Sequence, residues 1–219
     1  VRSPVLVLTF DIGWWWDFQE EISEQFDFSK DRELVASNLV SNYKSDISLI
    51  RKRIENKDLI LVGAGIQEDA AIPNSNVIVA DGALRACSER NIIPSIVITD
   101  LDGYIPEILL ASKQGSEIIV HAHGDNIARV FQYLPEINPS CITTTYPSAS
   151  NLCWGGFTDG DRALMMSLSL NCKTVKMIGF DYNVVGGYSG DYSPRKLEKL
   201  AWARKIVEAC IERTSKMIS

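Results

Sequence analysis

From Asp58 onward, short β-branched apolar runs alternate with stretches of helical period, and this rhythm restricts the fold more than any other feature of the chain. The runs cover residues 59–62, 76–80, 95–99, 117–120, 141–145 and 174–178. Between them, residues 83–90, 106–114, 126–134 and 161–170 read as helices. Strand, helix, strand at this spacing predicts an α/β fold: a mostly parallel, Rossmann-like sheet with helices on both faces and right-handed connections. Residues 1–57 differ. Trp14, Phe18, Ile22 and Phe26 recur at spacing four, one face of a helix. Phe28-Ser29-Lys30-Asp31 interrupts the pattern and offers N-caps. A second helix is then expected to about Asn56, with Val35, Leu39, Tyr43, Ile47, Ile50 and Ile54 as its apolar stripe. The expected organisation is an N-terminal helical lobe, 1–57, and an α/β catalytic domain, 58–219, closed by a C-terminal helix. The Trp14-Trp15-Trp16 cluster suits lobe core or a subunit contact, with a stacking platform as the sharper alternative.

The strand candidates end in chemically active residues. The first ends in Gly63-Ala64-Gly65, the second in Asp81-Gly82, and the third in Asp100 and Asp102. The fourth ends in His121-Ala122-His123-Gly124-Asp125-Asn126, and the last in Gly179-Phe180-Asp181. In an open parallel sheet these ends share one edge, where ligands bind. Asp100 and Asp102 flank a single residue, and like charges that close need a cation or strong donors to remain ionised. Their oxygens suit Mg²⁺, while a plain turn or helix cap is the competing reading. Asp81, Asp100, Asp102 and Asp125 would converge, and the candidate counter-charges are a metal, Arg162 and lysines of the last helix. Gly63 and Gly65 could bring backbone N–H groups to a phosphate or form a tight turn. Neither the dinucleotide fingerprint nor the P-loop is met. His121 and His123 suit phosphate binding or proton transfer. In Gly155-Gly156-Phe157-Thr158-Asp159-Gly160-Asp161-Arg162, Asp159 or Asp161 is a natural N-cap, and Arg162 could grip a phosphate bidentately. A glycine-rich loop, Gly186-Gly187-Tyr188-Ser189-Gly190, precedes Ser193-Pro194 and a helix with Arg195, Lys196 and Lys199 near its start.

Composition narrows the classes. A net charge of −6 argues against a nonspecific grip on nucleic acid. Five dispersed cysteines without a CxxC pair read as reduced thiols of a cytoplasmic protein and argue against zinc. No apolar run approaches the ~20 residues of a membrane helix. The apolar start, residues 1–10, is short, runs into Asp11 and lacks a signal-peptide layout.

Taken together, Ala80-Asp81-Gly82-Ala83, Ile93-Pro94 and Thr99-Asp100-Leu101-Asp102-Gly103 resemble the thiamine pyrophosphokinase-like superfamily. The His121–Asn126 and Gly155–Arg162 stretches, with Phe26-Asp27-Phe28-Ser29 and Asp31-Arg32, resemble its archaeal branch, the 6-hydroxymethyl-7,8-dihydropterin diphosphokinases. The resemblance implies Mg²⁺-dependent transfer of diphosphate from ATP to the pterin hydroxymethyl group, with AMP released. It implies Asp81, Asp100 and Asp102 as metal carboxylates, and Asp100, Asp102, His123 and Asp125 in catalysis. On the nucleotide side it implies Gly63, Gly65, Asp81, Gly82, His121, Gly124, Asn126, Thr158, Asp159, Asp161 and Arg162. It also suggests a homodimer. The family's glycine loop commonly continues Gly-Pro-Ser; here it reads Gly65-Ile66-Gln67-Glu68, which removes the serine contact. Thiamine is the alternative acceptor. A haloacid-dehalogenase-like phosphatase and a non-catalytic nucleotide-binding module are the readings from other classes.

Overall fold

The computed structural model describes residues 10–148 and 151–219, so the apolar start lies outside the described part except for Phe10. Its centre is a seven-stranded sheet in the order β5-β4-β3-β2-β1-β6-β7, parallel throughout. The strands are β1 (Asp58–Val62), β2 (Val77–Ala80), β3 (Ile96–Thr99), β4 (Glu117–Ala122), β5 (Cys141–Thr144), β6 (Thr174–Ile178) and β7 (Met217–Ile218). Each expected strand is present within two residues of its predicted ends. The two-residue β7, which extends the β6 edge, carries too little pattern to be read from sequence.

Every residue of β2, β3 and β4 is buried, as near-continuous Ile/Val runs require when both faces are covered. Side chains alternate between two cores. Leu59, Leu61, Ile78, Ile96 and Ile98 pack with α1 (Trp15–Phe26), α3 (Ser48–Ile54), α7 (Asp159–Ser169) and α8 (Pro194–Arg213). Val62, Val77, Val79 and Val97 pack with α4 (Leu84–Glu89), α5 (Ile105–Lys113) and α6 (Ile127–Ile137). β1 to β5 step outward one neighbour at a time. The chain then recrosses the sheet to place β6 on the free side of β1. Connections leave β1 and β6 in opposite directions, which opens a crevice beyond their carboxyl ends.

The front segment departs from expectation in two ways. The buried face of α1 is Trp15, Gln19, Ile22 and Phe26, one register from the predicted stripe. Trp14 and Phe18 pack edge to face beside it, with centroids 5.2 Å apart, and Trp16 stacks on Tyr146. The expected second helix is two helices, α2 (Lys30–Leu39) and α3. The connection between them is bound to the β5 side of the sheet. The Tyr43 hydroxyl donates to the Pro139 carbonyl, Asp46 N–H to Ser140 O (2.9 Å), and Ile142 N–H to Ser45 Oγ (3.0 Å). α2 consequently buries Glu33, Ala36 and Ser37 and leaves Val35 and Leu39 exposed. Polar anchoring outweighs apolar period here. All five cysteines are free thiols, four of them buried. Among the described residues no helix is long and apolar enough to cross a membrane.

Candidate active site

The turn after β3 is built around a strained residue. Leu101 has φ +64° and no exposed surface. A left-handed conformation costs a non-glycine residue about 1–2 kcal/mol. The surroundings hold it there. Leu101 N–H donates to Thr99 Oγ1 (2.7 Å), and its carbonyl accepts from Arg129 Nη1 (2.7 Å). Asn126 Nδ2 donates to the carbonyls of Asp100 and His121, both at 2.7 Å, and ties the ends of β3 and β4 together. The same turn positions Asp81 at the end of β2. Asp81 Oδ2 accepts from Thr99 Oγ1 (2.5 Å) and Gly103 N–H (3.0 Å). A Cβ at position 103 would stand 2.0 Å from Asp81 Oδ1, so any side chain there would push Asp81 from its place.

Three carboxylates meet at this point: one oxygen from each of Asp81, Asp100 and Asp159 lies within 4.8 Å of the others. Asp159 comes from the first turn of α7, 3.2 Å from Arg162. Burial, reinforced by Asp100, pushes the Asp159 carboxyl well above its ordinary range. Burial lifts Asp81 to about 6, against hydrogen bonds from Thr99 and Gly103 that pull it down. Oxygen donors that cannot ionise together without a counter-charge fit a hard divalent cation.

Asp102 lies outside this trio but lines the same cavity as Asp100. Its side chain is 89% exposed and 3.5 Å from Arg129. In an extended strand residues 100 and 102 would point the same way; here the left-handed Leu101 between them curls the chain so that Asp102 N–H donates to Asp100 Oδ1 (3.0 Å). The third carboxylate of this trio is Asp159; Asp102, expected beside Asp100 at the metal, is not among the three. The tandem aspartates of α7 also divide their work. Asp161 accepts from the amides of Phe157 (2.6 Å) and Thr158 (3.0 Å) and forms a capping box with Thr158. It is the cap, with its oxygens committed to the loop and its carboxyl raised to about 6 by burial, and it lines neither cavity described here.

Asp100 faces a cavity of about 390 Å³ whose wall carries Arg129, Arg162, Arg195 and Lys199. His121, His123, Asp125 and Asn126 line it from β4 and its loop, Phe157 and Gly156 from the segment before α7, and Gln19, Phe28 and Glu33 from the front helices. His121 is buried, its Nδ1 3.1 Å from Thr143 Oγ1, and burial holds its pKa well below the ordinary value. His123 lies parallel to it at 5.9 Å. Asp125 N–H points at His123 Nδ1 (3.3 Å), which puts the proton of the neutral ring on Nε2, 4.0 Å from Asp100 Oδ2. Asp125 sits at the rim, half exposed and 2.8 Å from Arg32. Gly124 is clasped by α2: its N–H donates to Glu33 Oε1 (3.0 Å) and its carbonyl accepts from Arg32 (3.1 Å). Arg162 donates to Gly156 O (2.9 Å), and among the described residues its buried Nε has no hydrogen-bond partner.

Gly63, Gly65, Gly82, Thr158 and Asp159 line a second cavity, about 220 Å³, in the crevice beyond β1 and β6. The N–H groups of Gly63 and Gly65 are already bound to the carbonyls of Ile178 and Gly179, each at 2.9 Å. A Cβ at either position would come within 3 Å of Gly179 O. These glycines let two loops touch, and their amides are not free to cradle phosphate. Sequence reasoning missed Glu33 and Arg129, which lie on helices where only burial and contact reveal them. Lys199, one of the last-helix lysines expected as counter-charges, lines both cavities.

A family model described as MptE-like, 6-hydroxymethylpterin diphosphokinase MptE-like, matches residues 34–187. A protein of Methanocaldococcus jannaschii named 6-hydroxymethyl-7,8-dihydropterin pyrophosphokinase is 31% identical over 90% of this chain and 94% of its own length. Proteins of the same name from Methanothermobacter thermautotrophicus and Pyrococcus furiosus are 30% and 31% identical over 89% of this chain, and over 92% and 91% of their own lengths.

Proposed function

The chain belongs to the MptE-like 6-hydroxymethylpterin diphosphokinase family, and from that premise we propose that it transfers diphosphate from ATP to the hydroxymethyl group of 6-hydroxymethyl-7,8-dihydropterin. The acceptor oxygen attacks the β-phosphorus in line as the bond from that phosphorus to the oxygen bridging the α-phosphate breaks. AMP leaves with the bridging oxygen, and the hydroxyl proton passes to solvent. The observation that carries this reading is the carboxylate trio Asp81, Asp100 and Asp159 beside a cavity walled by four cationic side chains. Mg²⁺ fits the all-oxygen trio, and when bound it would polarise phosphate oxygens.

The remaining roles belong to the chain's own side chains. Arg129, Arg162, Arg195 and Lys199 neutralise the triphosphate, charge stabilisation being the main source of rate in phosphoryl transfer. His123, protonated on Nε2, donates to a phosphate oxygen rather than accepting a proton. Asp102 orients Arg129, and Asp125 fixes Arg32 at the rim. Asn126 and Gly124 hold the loop between β4 and α6. In this reading the front helices belong to the catalytic unit, since Phe28 and Glu33 form one wall of the cavity.

The test is direct. Purified protein with ATP, Mg²⁺ and 6-hydroxymethyl-7,8-dihydropterin should release AMP in step with the diphosphorylated pterin. Thiamine in place of the pterin should give none, and Asp100→Asn should remove at least 99% of the turnover. Release of inorganic phosphate from monoesters, or AMP formation with thiamine alone, refutes the assignment.

A further inference from the structure

Each member of the trio lines a cavity: Asp100 the cationic one, Asp159 the one beyond β1 and β6, and Asp81 a third of about 760 Å³ that also carries Arg85, Glu89 and Glu107; the first two have opposite characters. The first is lined by guanidinium, ammonium, imidazole and carboxylate groups. The second is walled largely by Phe180, Tyr182, Val184, Val185, Leu200 and Ala203. Asp159 belongs to the trio and lines the second cavity. Lys199 is the one side chain on both walls. In-line transfer needs the acceptor and the leaving nucleotide on opposite sides of the transferred phosphorus, and separate chambers for the two substrates suit that geometry.

Resting on the diphosphokinase reading above, we propose that the apolar chamber between the carboxyl ends of β1 and β6 holds the flat ring of the acceptor, and that Asp181 at its mouth reads the ring's adjacent N–H groups. Three observations carry this. A chamber of about 220 Å³ suits a bicyclic heterocycle and is too small for a whole nucleoside triphosphate, whereas the cationic cavity of about 390 Å³ offers the charges a triphosphate needs. The chamber opens onto Asp159, so an arm projecting from a ring seated there meets the carboxylate trio. Asp181 Oδ1 accepts from Asn183 N–H at 2.9 Å, which fixes the carboxylate's orientation. A fixed carboxylate matches the paired N–H donors of an aminopyrimidinone edge, and a bond of this charge-assisted kind is among the stronger ones. Lys199, between the chambers, then faces the diphosphate in transit.

The experiment uses two variants and two readouts. Val185→Phe fills the chamber, and Asp181→Asn keeps its shape while removing the charge at an exposed position. Steady-state AMP release gives KM for each substrate. Fluorescence titration with 6-hydroxymethylpterin, without nucleotide, gives ring binding independently of turnover. Both variants should raise the acceptor KM and weaken pterin binding about tenfold or more, with KM for ATP within twofold of wild type. A rise in KM for ATP with the acceptor KM unchanged overturns the proposal and makes the chamber a nucleoside site. Unaltered pterin binding in both variants overturns it as well. A wild-type protein that binds pterin in the chamber but does not turn it over refutes the diphosphokinase reading alone.

Discussion

Replacing Gly103 by alanine tests whether the placement of Asp81 matters to the chemistry. The added methyl would lie 2.0 Å from Asp81 Oδ1 and 2.5 Å from its Cγ, and ordinary contact begins at 3.4 Å. Asp81 must therefore retreat by more than an ångström. The backbone at 103 is not left-handed, so alanine adds no torsional strain, and the effect comes through Asp81 alone. A displacement of about 1 Å at a reacting centre costs on the order of 100-fold in rate, near 2.7 kcal/mol of activation free energy. Partial loss of the Thr99 and Gly103 hydrogen bonds removes a further ~1–2 kcal/mol from stability. In a chain of this length that lowers Tm by roughly 2–4 °C per kcal/mol. AMP release at varied Mg²⁺ is the assay, with circular dichroism to establish that the variant folds. The expected result is a folded protein with kcat/KM down about 100-fold and a raised Mg²⁺ half-saturation. Gly187→Ala, where a Cβ meets nothing within 4 Å, serves as the control. Wild-type efficiency and Mg²⁺ dependence in Gly103→Ala would refute the reasoning.

Asp159→Asn should cost at least 100-fold in kcat and Asp102→Asn less than tenfold, because only the former belongs to the buried trio; AMP release under one set of Mg²⁺ concentrations decides, and equal losses would return Asp102 to the metal. The folded chain holds the Asp81 proton up to about pH 6 against an ordinary value of 3.8, so ionising it costs the metal-free protein stability as pH rises through that interval. In EDTA, the Tm of Asp81→Asn should accordingly rise relative to wild type from pH 4 to 6 and keep its gain above pH 6; a gap that narrows as pH rises contradicts the linkage. Asn126→Ala leaves the carbonyls of Asp100 and His121 and the amide of His123 without their partner. Urea denaturation should show a loss of about 2–3 kcal/mol, and a change under 0.5 kcal/mol would mean that the two strand ends are held by something else.

The sheet was legible because doubly covered parallel strands must be apolar on both faces, and runs such as Ile96-Val97-Ile98 stop abruptly at polar residues that backbone geometry delivers to one edge. What sequence could not supply was orientation within a turn. Nothing in the letters around Leu101 announces a positive φ, and nothing in them shows that Asp159, on the seventh helix, joins Asp81 and Asp100 where Asp102 does not. Glu33 and Arg129 were invisible for a related reason: each sits on a helix among ordinary surface charges, and only packing brings it to the cavity. Gly63-Ala64-Gly65 was legible only as two alternatives. A strand followed by glycines looks like a phosphate cradle, but the same glycines also permit close contact with the end of β6, and the latter accounts for them.

That contact has a kinetic consequence. β1 through β4 pair with neighbours close in sequence, whereas β6 must find β1 across more than a hundred residues, Thr174 opposite Asp58. Closing so long a loop is slow, and an early compact state would carry β1 with one flank bare. Any small molecule that seats between the tips of these two strands binds only after they have zipped, so by mass action it draws newly made chains into the finished state.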